Sequence, residues 1–323
     1  MHIRYLHDQL YALTVIGSLA TGMGCGGVNQ ERPDAAVDSS TGTPPDSIPP
    51  DAAPVPRCDP TKPFGTPTLI PDINSSVRDQ GAELIDDLTI IFGSDRDNPT
   101  GALYMATRGS PASPFGAPAP LTAINATGGA TGPTLTGDGL TMYYALTTNQ
   151  DTGDIYVTRR TSKADAFGPG TPVMGLNSTV QDLDPFVTAD GSALYFDSAR
   201  GSTALHLYVA VRQADGSFGT PQALTNLNTN VTDGHPVLSH DGLTIYWSSP
   251  RADVGAKGGT DIWIATRPST AGAFGAPTLV PELNSPSNES MSWISPDGCM
   301  VLLQSDRPGG LGTQDIYQAT RPM

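Results

Sequence analysis

The chain lacks the short motifs that mark several enzyme classes. It contains no Gly-x-Ser-x-Gly elbow, no phosphate-binding loop and no His-Glu-x-x-His pair. Its three cysteines do not have the spacing of a metal site, and its five histidines are scattered, two of them among the first ten residues. The sequence therefore says more about the fold than about an activity.

Basic residues are also scarce. The chain has 17 lysines and arginines against 32 aspartates and glutamates, which gives a net charge of -15. Such a surface repels the phosphates of nucleic acids and the headgroups of anionic lipids. We therefore expect no nucleic-acid partner, and we expect a soluble surface outside the cytoplasm.

The N-terminal apolar run, at residues 10–20, is too short to cross a bilayer but suits the core of a signal peptide. Small residues follow it and lead to Cys25, in a segment that resembles a bacterial lipobox. We therefore predict a signal peptide at residues 1–24 and lipidation of Cys25, with secretion without a lipid as the alternative. The protein would then lie at the outer membrane or in the periplasm, and only the lipid would contact the membrane.

Residues 25–63 are rich in proline, aspartate, serine and threonine and can bury little apolar surface. We predict that they form a disordered tether, which holds the folded part clear of the membrane. Residues 64–323 then form a single folded domain.

Glycine and proline are abundant, with 36 and 30 residues, which excludes long helices and favours short strands joined by turns. A Phe-Gly pair recurs at five positions separated by 51, 52, 51 and 56 residues, and an asparagine follows each of these five phenylalanines by ten residues. The phenylalanines are Phe64, Phe115, Phe167, Phe218 and Phe274. A period near 50 residues with strand-like content predicts a β-propeller.

Each repeat has the pattern of one blade. In the third repeat Asp190-Gly191 separates two short apolar runs, and Asp-Gly favours a tight hairpin. The chain ends after the third strand of the fifth repeat, whereas its folded part begins with a spare strand at residues 64–70. We therefore predict an all-β fold, a five-bladed β-propeller of four-stranded antiparallel blades whose ring is closed by an N-terminal strand.

The repeats resemble a known family. The segments that carry the resemblance are LSHDGLTIY at 238–246, SDRPGG at 305–310 and DIY at 315–317. They are similar to the WD-like repeat of TolB and of many bacterial envelope lipoproteins. The resemblance covers residues 64–323 and implies an envelope propeller that binds partners without catalysis. TolB itself typically has six blades and an additional N-terminal domain, so the resemblance does not imply a role in the Tol system.

Arginines and aspartates recur in fixed places. Arg251 and Arg307 lie in loops after the second strand, and Asp261 and Asp315 begin the third strand of the same blades. We expect each arginine to bind the aspartate of its own blade through two hydrogen bonds and to brace the loop.

A second acidic position lies five residues after each recurring asparagine, where the innermost strand begins. Asp79, Asp182, Asp233 and Glu289 occupy it, and Ala130 is the exception. We expect these segments to converge at one mouth of the central channel, near Asp184 and His235, so all six polar residues are candidates for a ligand or ion site. Carboxylates suit a divalent cation such as Ca²⁺ or the hydrolysis of a glycoside. The alternative is that each acid caps its own loop.

Cys58 and Cys299 are a candidate disulfide. Cys58 precedes the closing strand, and Cys299 follows the Asp297-Gly298 turn of the same blade, so both lie on one face of the propeller. A bridge would hold the ring shut in an oxidising compartment, and the alternative is two free thiols.

Together these features predict a monomeric, non-enzymatic binding or scaffold module of the cell envelope. Its partner would be an envelope protein or a glycan, and it would need no cofactor. The alternative is a carbohydrate-active propeller, a lectin or a glycoside hydrolase, that uses the carboxylates at the channel mouth. This alternative depends on analogy of fold alone.

Overall fold

Nearly all the regular structure is β. The structure, a computed structural model, describes residues 57–148 and 151–323. Within these ranges it has twenty strands and one short helix, and the strands form five antiparallel sheets of four strands each. The predicted five-bladed propeller is confirmed. The predicted signal peptide, Cys25 and the tether as far as residue 56 lie outside the described residues.

Four blades are continuous in sequence and run outward from the axis. Blade 1 comprises β2 (Asp79–Asp86), β3 (Thr89–Ser94), β4 (Ala102–Thr107) and β5 (Ala119–Pro120), followed by the one-turn helix α1 (Thr122–Asn125). Blade 2 comprises β6 (Gly129–Leu135), β7 (Thr141–Thr148), β8 (Asp151–Arg159) and β9 (Thr171–Pro172). Blade 3 comprises β10 (Asp182–Val187), β11 (Ala193–Ser198), β12 (His206–Val211) and β13 (Gln222–Ala223). Blade 4 comprises β14 (Gly234–Leu238), β15 (Thr244–Ser249), β16 (Asp261–Thr266) and β17 (Thr278–Leu279).

Blade 5 is built from both ends of the domain. It comprises β18 (Glu289–Ile294), β19 (Met300–Ser305), β20 (Asp315–Thr320) and, as its outermost strand, β1 (Thr68–Leu69). Thr68 pairs with Gln318 and Leu69 with Tyr317, as the ring-closure hypothesis requires.

The recurring Phe, Asn and Arg residues fix the outer strand of each blade. The closing arginine lies over the Phe-Gly ring in all five blades, with its Cζ 4.1 to 4.5 Å from the ring centroid. Each recurring asparagine uses its side-chain amide to bind both backbone groups of one third-strand residue. Asn284, for example, accepts the N–H of Ile262 at 2.7 Å and donates to its carbonyl at 2.9 Å. The spacing of ten residues therefore spans the short outer strand.

The apolar core is divided into five clusters, each packed between neighbouring blades. The cluster between blades 4 and 5 contains Phe64 of the closing segment, and the cluster between blades 5 and 1 contains Ile70. No helix in the described ranges is long and apolar enough to span a bilayer.

Residues 57–63, which the sequence analysis assigns to the tether, are attached to blade 5. A disulfide joins Cys58 to Cys299 with the Cα atoms 5.6 Å apart, and the N–H of Asp59 donates to the Pro322 carbonyl at 2.9 Å. The bridge closes a segment of 241 residues, and such a constraint on the unfolded chain is worth roughly 2–5 kcal/mol.

The closing strand gives a direct test. A chain that begins at Leu69 loses Phe64 and Thr68, the first of the two β1 residues, whereas a chain that begins at Lys62 keeps both, and neither contains Cys58. We expect the shorter chain to unfold without cooperativity or to be destabilised by at least about 3–5 kcal/mol, the usual cost of removing a buried phenylalanine. Urea denaturation followed by circular dichroism measures the difference, and equal midpoints would contradict the closure.

Candidate functional site

The four acids at the start of the innermost strands are scaffold residues. Asp79, Asp182, Asp233 and Glu289 have no exposed surface. Each accepts the backbone N–H of the residue four positions earlier, as in the contact from Ser75 to Asp79 at 2.5 Å and from Ser285 to Glu289 at 2.9 Å. This is the geometry of the loop-capping alternative. The four carboxylates are buried against their own loops and are not available to a ligand in the channel.

The same acids bind the recurring arginines, so the predicted arginine pairs are wrong. Arg251 contacts Asp233 at 2.5 Å instead of Asp261, and Arg307 contacts Glu289 at 3.2 Å instead of Asp315. Arg96 binds Asp79 and Arg200 binds Asp182 in the same way. Antiparallel pairing explains this, because the start of the first strand lies beside the end of the second, where the arginine follows. Asp261 and Asp315 instead accept the backbone N–H groups of Lys257 and Leu311.

The other two candidates, Asp184 and His235, do lie together on the propeller axis. Asp184 Oδ2 is 3.3 Å from His235 Nε2. Both residues line a small central cavity of about 30 Å³, which is large enough for a water molecule. They occupy equivalent places in blades 3 and 4, within the bulge that each innermost strand forms there.

These two residues share a left-handed backbone conformation with their counterparts in blades 1 and 2, but unlike them they are not glycines. The equivalent residues in blades 1 and 2 are Gly81 and Gly132, with φ of 57° and 56°. Asp184 and His235 adopt the same left-handed conformation, with φ of 44° and 53°, although they carry a Cβ. Such a conformation costs free energy in residues other than glycine and is concentrated at functional sites.

A third residue, Asp197 on β11, completes this cluster, which we call the axial cluster. Asp184, Asp197 and His235 each offer a potential ligand atom, and the three atoms lie within 4.8 Å of one another. Asp197 is 1% exposed and accepts the His235 N–H at 3.2 Å. Burial raises the pKa of Asp197 well above its usual range, and the neighbouring Asp184 carboxylate raises it further. A buried acid of this kind either holds a proton or faces a cation.

On the face that carries the Asp-Gly turns, the axis opens into a wider cavity of about 470 Å³, which we call the funnel. Its walls include the ring of innermost-strand residues Glu83, Thr134, Phe186 and Trp293. Phe186 and Trp293 are half-buried, so their rings are partly open to solvent. Arg57, the first described residue, is at the rim, so the chain enters the domain on this face.

Glu83 is the one carboxyl group in that ring of wall residues. It is 6% exposed and accepts the Leu135 N–H at 3.1 Å. Burial raises its pKa from 4.5 to about 8, and the Leu135 and Thr134 hydrogen bonds oppose this only in part. Near neutral pH the group is therefore mostly protonated and able to donate a hydrogen bond.

The carboxylates nearer the funnel rim already have partners. Asp297 accepts the Arg57 Nε–H at 2.7 Å. Burial alone would raise the pKa of Asp297, but the hydrogen bonds from Arg57, Ser295 and Cys299 outweigh it and lower the pKa to about 2. Asp87 lies 3.4 Å from Arg57, and Asp86 accepts the Leu88 N–H at 2.9 Å. The funnel thus combines apolar walls, one buried acid and a rim of paired charges.

Sequence reasoning identified Asp184 and His235 but missed Asp197 and Glu83. A signal for Asp197 was present in the sequence. The second strand of four blades ends in a serine, and the residue before that serine is an aspartate only in blade 3. The residues at this position are Gly93, Asp197, Ser248 and Gln304. Glu83 gave a weaker signal, since its strand carries an extra acidic residue in a mostly apolar run. Neither residue recurs by blade, so the repeat pattern does not mark them.

These observations define a five-bladed propeller with a polar axial cluster and a funnel on one face. No family model and no curated protein matches the chain. Among solved structures it is similar to the endo-arabinase from Bacteroides thetaiotaomicron VPI-5482, at 14% identity over 80% of this chain and 97% of that one, with a TM-score of 0.51. The α-L-arabinofuranosidase from Lactobacillus brevis is similar at 12% identity over 78% and 92%, with a TM-score of 0.52.

TolB from Acinetobacter baumannii is a third similar structure, at 17% identity over 80% of this chain, with a TM-score of 0.42. The chain spans 54% of the length of that TolB. Likenesses at these identities show the fold alone.

The buried acid gives a pH-dependent prediction. The pKa of Glu83 is about 8 in the folded protein and 4.5 in the unfolded chain. The folded protein is therefore most stable below pH 4.5, where Glu83 is protonated in both states, and it loses stability as the pH rises to about 8. Each pH unit in that window costs up to about 1.4 kcal/mol. Glu83→Gln should therefore match the wild type near pH ~4.5 and be more stable by a few kcal/mol near pH ~9 in urea denaturation.

Asp138→Asn is the matched control, because hydrogen bonds from Thr136 and Leu140 lower the pKa of Asp138. The stability that Asp138 contributes is fully present above its unfolded pKa of 3.8, so the difference between Asp138→Asn and the wild type should stay constant from pH ~4.5 to pH ~9. A constant difference between Glu83→Gln and wild type across the window would contradict the raised pKa.

Proposed function

We propose that this protein is an exported, lipid-anchored binding module of the bacterial cell envelope, and that its funnel holds the partner. The observation that carries the proposal is the funnel itself, about 470 Å³ with Phe186 and Trp293 half-buried in its wall. A concave, mostly apolar cavity of this size with one convergent polar group is typical of ligand sites. Aromatic side chains with partly open rings are the usual anchors of such contacts.

A protein segment is the occupant that the chemistry favours. Leu84, Leu135 and Leu238 contribute further apolar surface to the wall, which suits an aliphatic or aromatic side chain of a partner. Protonated Glu83 can donate to a backbone carbonyl of the same segment.

Glycoside hydrolysis fits the funnel less well. That reaction needs two carboxyl groups in different environments, one as acid and the other as base or nucleophile. Glu83 has the raised pKa of an acid, but Asp86, Asp87 and Asp297 already accept hydrogen bonds or pair with Arg57. A glycan partner is therefore the alternative, chiefly as a bound ligand.

Substitution of the aromatic wall tests the proposal. Trp293→Ala in the full chain should reduce capture of the partner protein from solubilised envelope by at least about tenfold, because truncating an interface tryptophan often costs more than 1.4 kcal/mol. Met174→Ala is the control, since Met174 is 82% exposed and does not line the funnel. Quantitative mass spectrometry of the captured proteins measures the ratio. Equal capture by all three proteins, or binding or cleavage of arabinan oligosaccharides instead, would overturn the proposal.

The anchor is tested separately. Cys25→Ser should move the protein from the membrane fraction to the soluble fraction of its host, because a serine at this position cannot receive the thioether-linked lipid. Immunoblotting of the two fractions measures the change. Membrane association that persists in the variant would show that Cys25 is not the attachment point.

A further inference from the structure

An unsatisfied oxygen lies at the centre of the ring. Within residues 57–148 and 151–323, Asp197 Oδ1 is buried and has no hydrogen-bond partner. A buried carboxylate oxygen without a partner is costly, and it calls for a proton, a water or a cation. Gly234 lets Asp197 approach the axis, because a Cβ there would lie 2.2 Å from Asp197 Oδ2.

The distances within the axial cluster suit a metal ion. Two ligands bound at about 2.1 Å in a tetrahedral site lie about 3.4 Å apart. Asp184 Oδ2 and His235 Nε2 are 3.3 Å apart, and the ligand atom of Asp197 lies within 4.8 Å of both. Small side-chain rotations would bring all three to coordinating distance. The cavity beside them holds about 30 Å³, enough for one ion or one water.

The chain keeps Asp184 and His235 at this place although glycine would fit better. Blades 1 and 2 have Gly81 and Gly132 in the same left-handed conformation. A structural role alone would favour glycine in blades 3 and 4 as well. The two side chains that replace it are both potential metal ligands, and they point to the same cavity.

We propose that Asp184, Asp197 and His235 form a binding site for one divalent transition-metal ion, Zn²⁺ or Mn²⁺, on the propeller axis. Two carboxylates and one imidazole are a mixed oxygen and nitrogen ligand set, which favours these ions over Ca²⁺, an ion that prefers oxygen ligands alone. The Gln304 amide donates to His235 Nε2 at 3.2 Å in the metal-free chain, so metal binding at this nitrogen replaces that hydrogen bond. The site lies deeper on the axis than the funnel and is independent of the partner proposed for it.

Metal binding is measured on the full chain without an affinity tag, after removal of metal with a chelator. Isothermal titration with Zn²⁺ and with Mn²⁺ should give one site per chain, and saturation should raise the thermal midpoint. The pulsed electron paramagnetic resonance spectrum of bound Mn²⁺ should show coupling to one imidazole nitrogen. Ca²⁺ is the comparison ion and should bind more weakly than both.

The variants separate ligation from structure. Asp197→Asn should weaken Zn²⁺ and Mn²⁺ binding by at least about tenfold, and His235→Gln should also abolish the nitrogen coupling. Asp184→Gly restores the residue of blades 1 and 2, so it should lose metal binding while the metal-free protein keeps its thermal midpoint. His240→Gln, outside the cluster, is the control and should bind like the wild type.

The proposal fails if the wild type shows no response to either ion at millimolar concentration. It also fails if Asp197→Asn and Asp184→Gly respond as the wild type does, which would place any bound metal elsewhere. A response to Ca²⁺ alone, or a Mn²⁺ spectrum without nitrogen coupling, would overturn the assignment of His235 as a ligand. A lower midpoint of the metal-free Asp184→Gly variant would indicate a structural role instead.

Discussion

Closure of the ring is the constraint on which the rest of the structure depends. Each blade has two faces, and both are covered only when the blade has a neighbour on each side, as the five inter-blade clusters show. Blade 5 lacks an outer strand of its own until β1 pairs with β20, so the two ends of the domain must meet. Phe64 in one cluster, Ile70 in the next and the Cys58–Cys299 disulfide all strengthen that contact.

The recurring contacts and the candidate binding residues are different sets of residues in this propeller. The contacts that recur by blade are structural: arginine on the Phe-Gly ring, asparagine on the third strand, and arginine with a buried acid. The candidate binding groups are those that break the repeat, namely Asp184 and His235 in place of glycine, Asp197, and Glu83. In a closed ring every innermost strand lies along the same axis. Residues that break the repeat in different blades are therefore brought close together there.

The axis thus carries two chemically different levels. The axial cluster is narrow and polar, with carboxyl oxygens and an imidazole nitrogen within 4.8 Å of one another. The funnel is wide, mostly apolar and holds an acid that burial keeps protonated near neutral pH. A metal at the first level would fix the inner strands of blades 3 and 4, and Phe186, which lines the funnel, lies two residues after Asp184 on β10.

The architecture follows from the sequence alone, because local features are sufficient to specify it. The period of Phe-Gly, the Asp-Gly turns and the spare strand at residues 64–70 defined five blades and their closure. The sequence also identified Asp184 and His235, and it placed Cys58 and Cys299 on one face. Only the tertiary structure decided which arginine binds which acid, because that depends on the register between neighbouring strands. It also revealed Asp197 and Glu83, whose importance comes from burial and from residues far away in the chain. A linear pattern records neither.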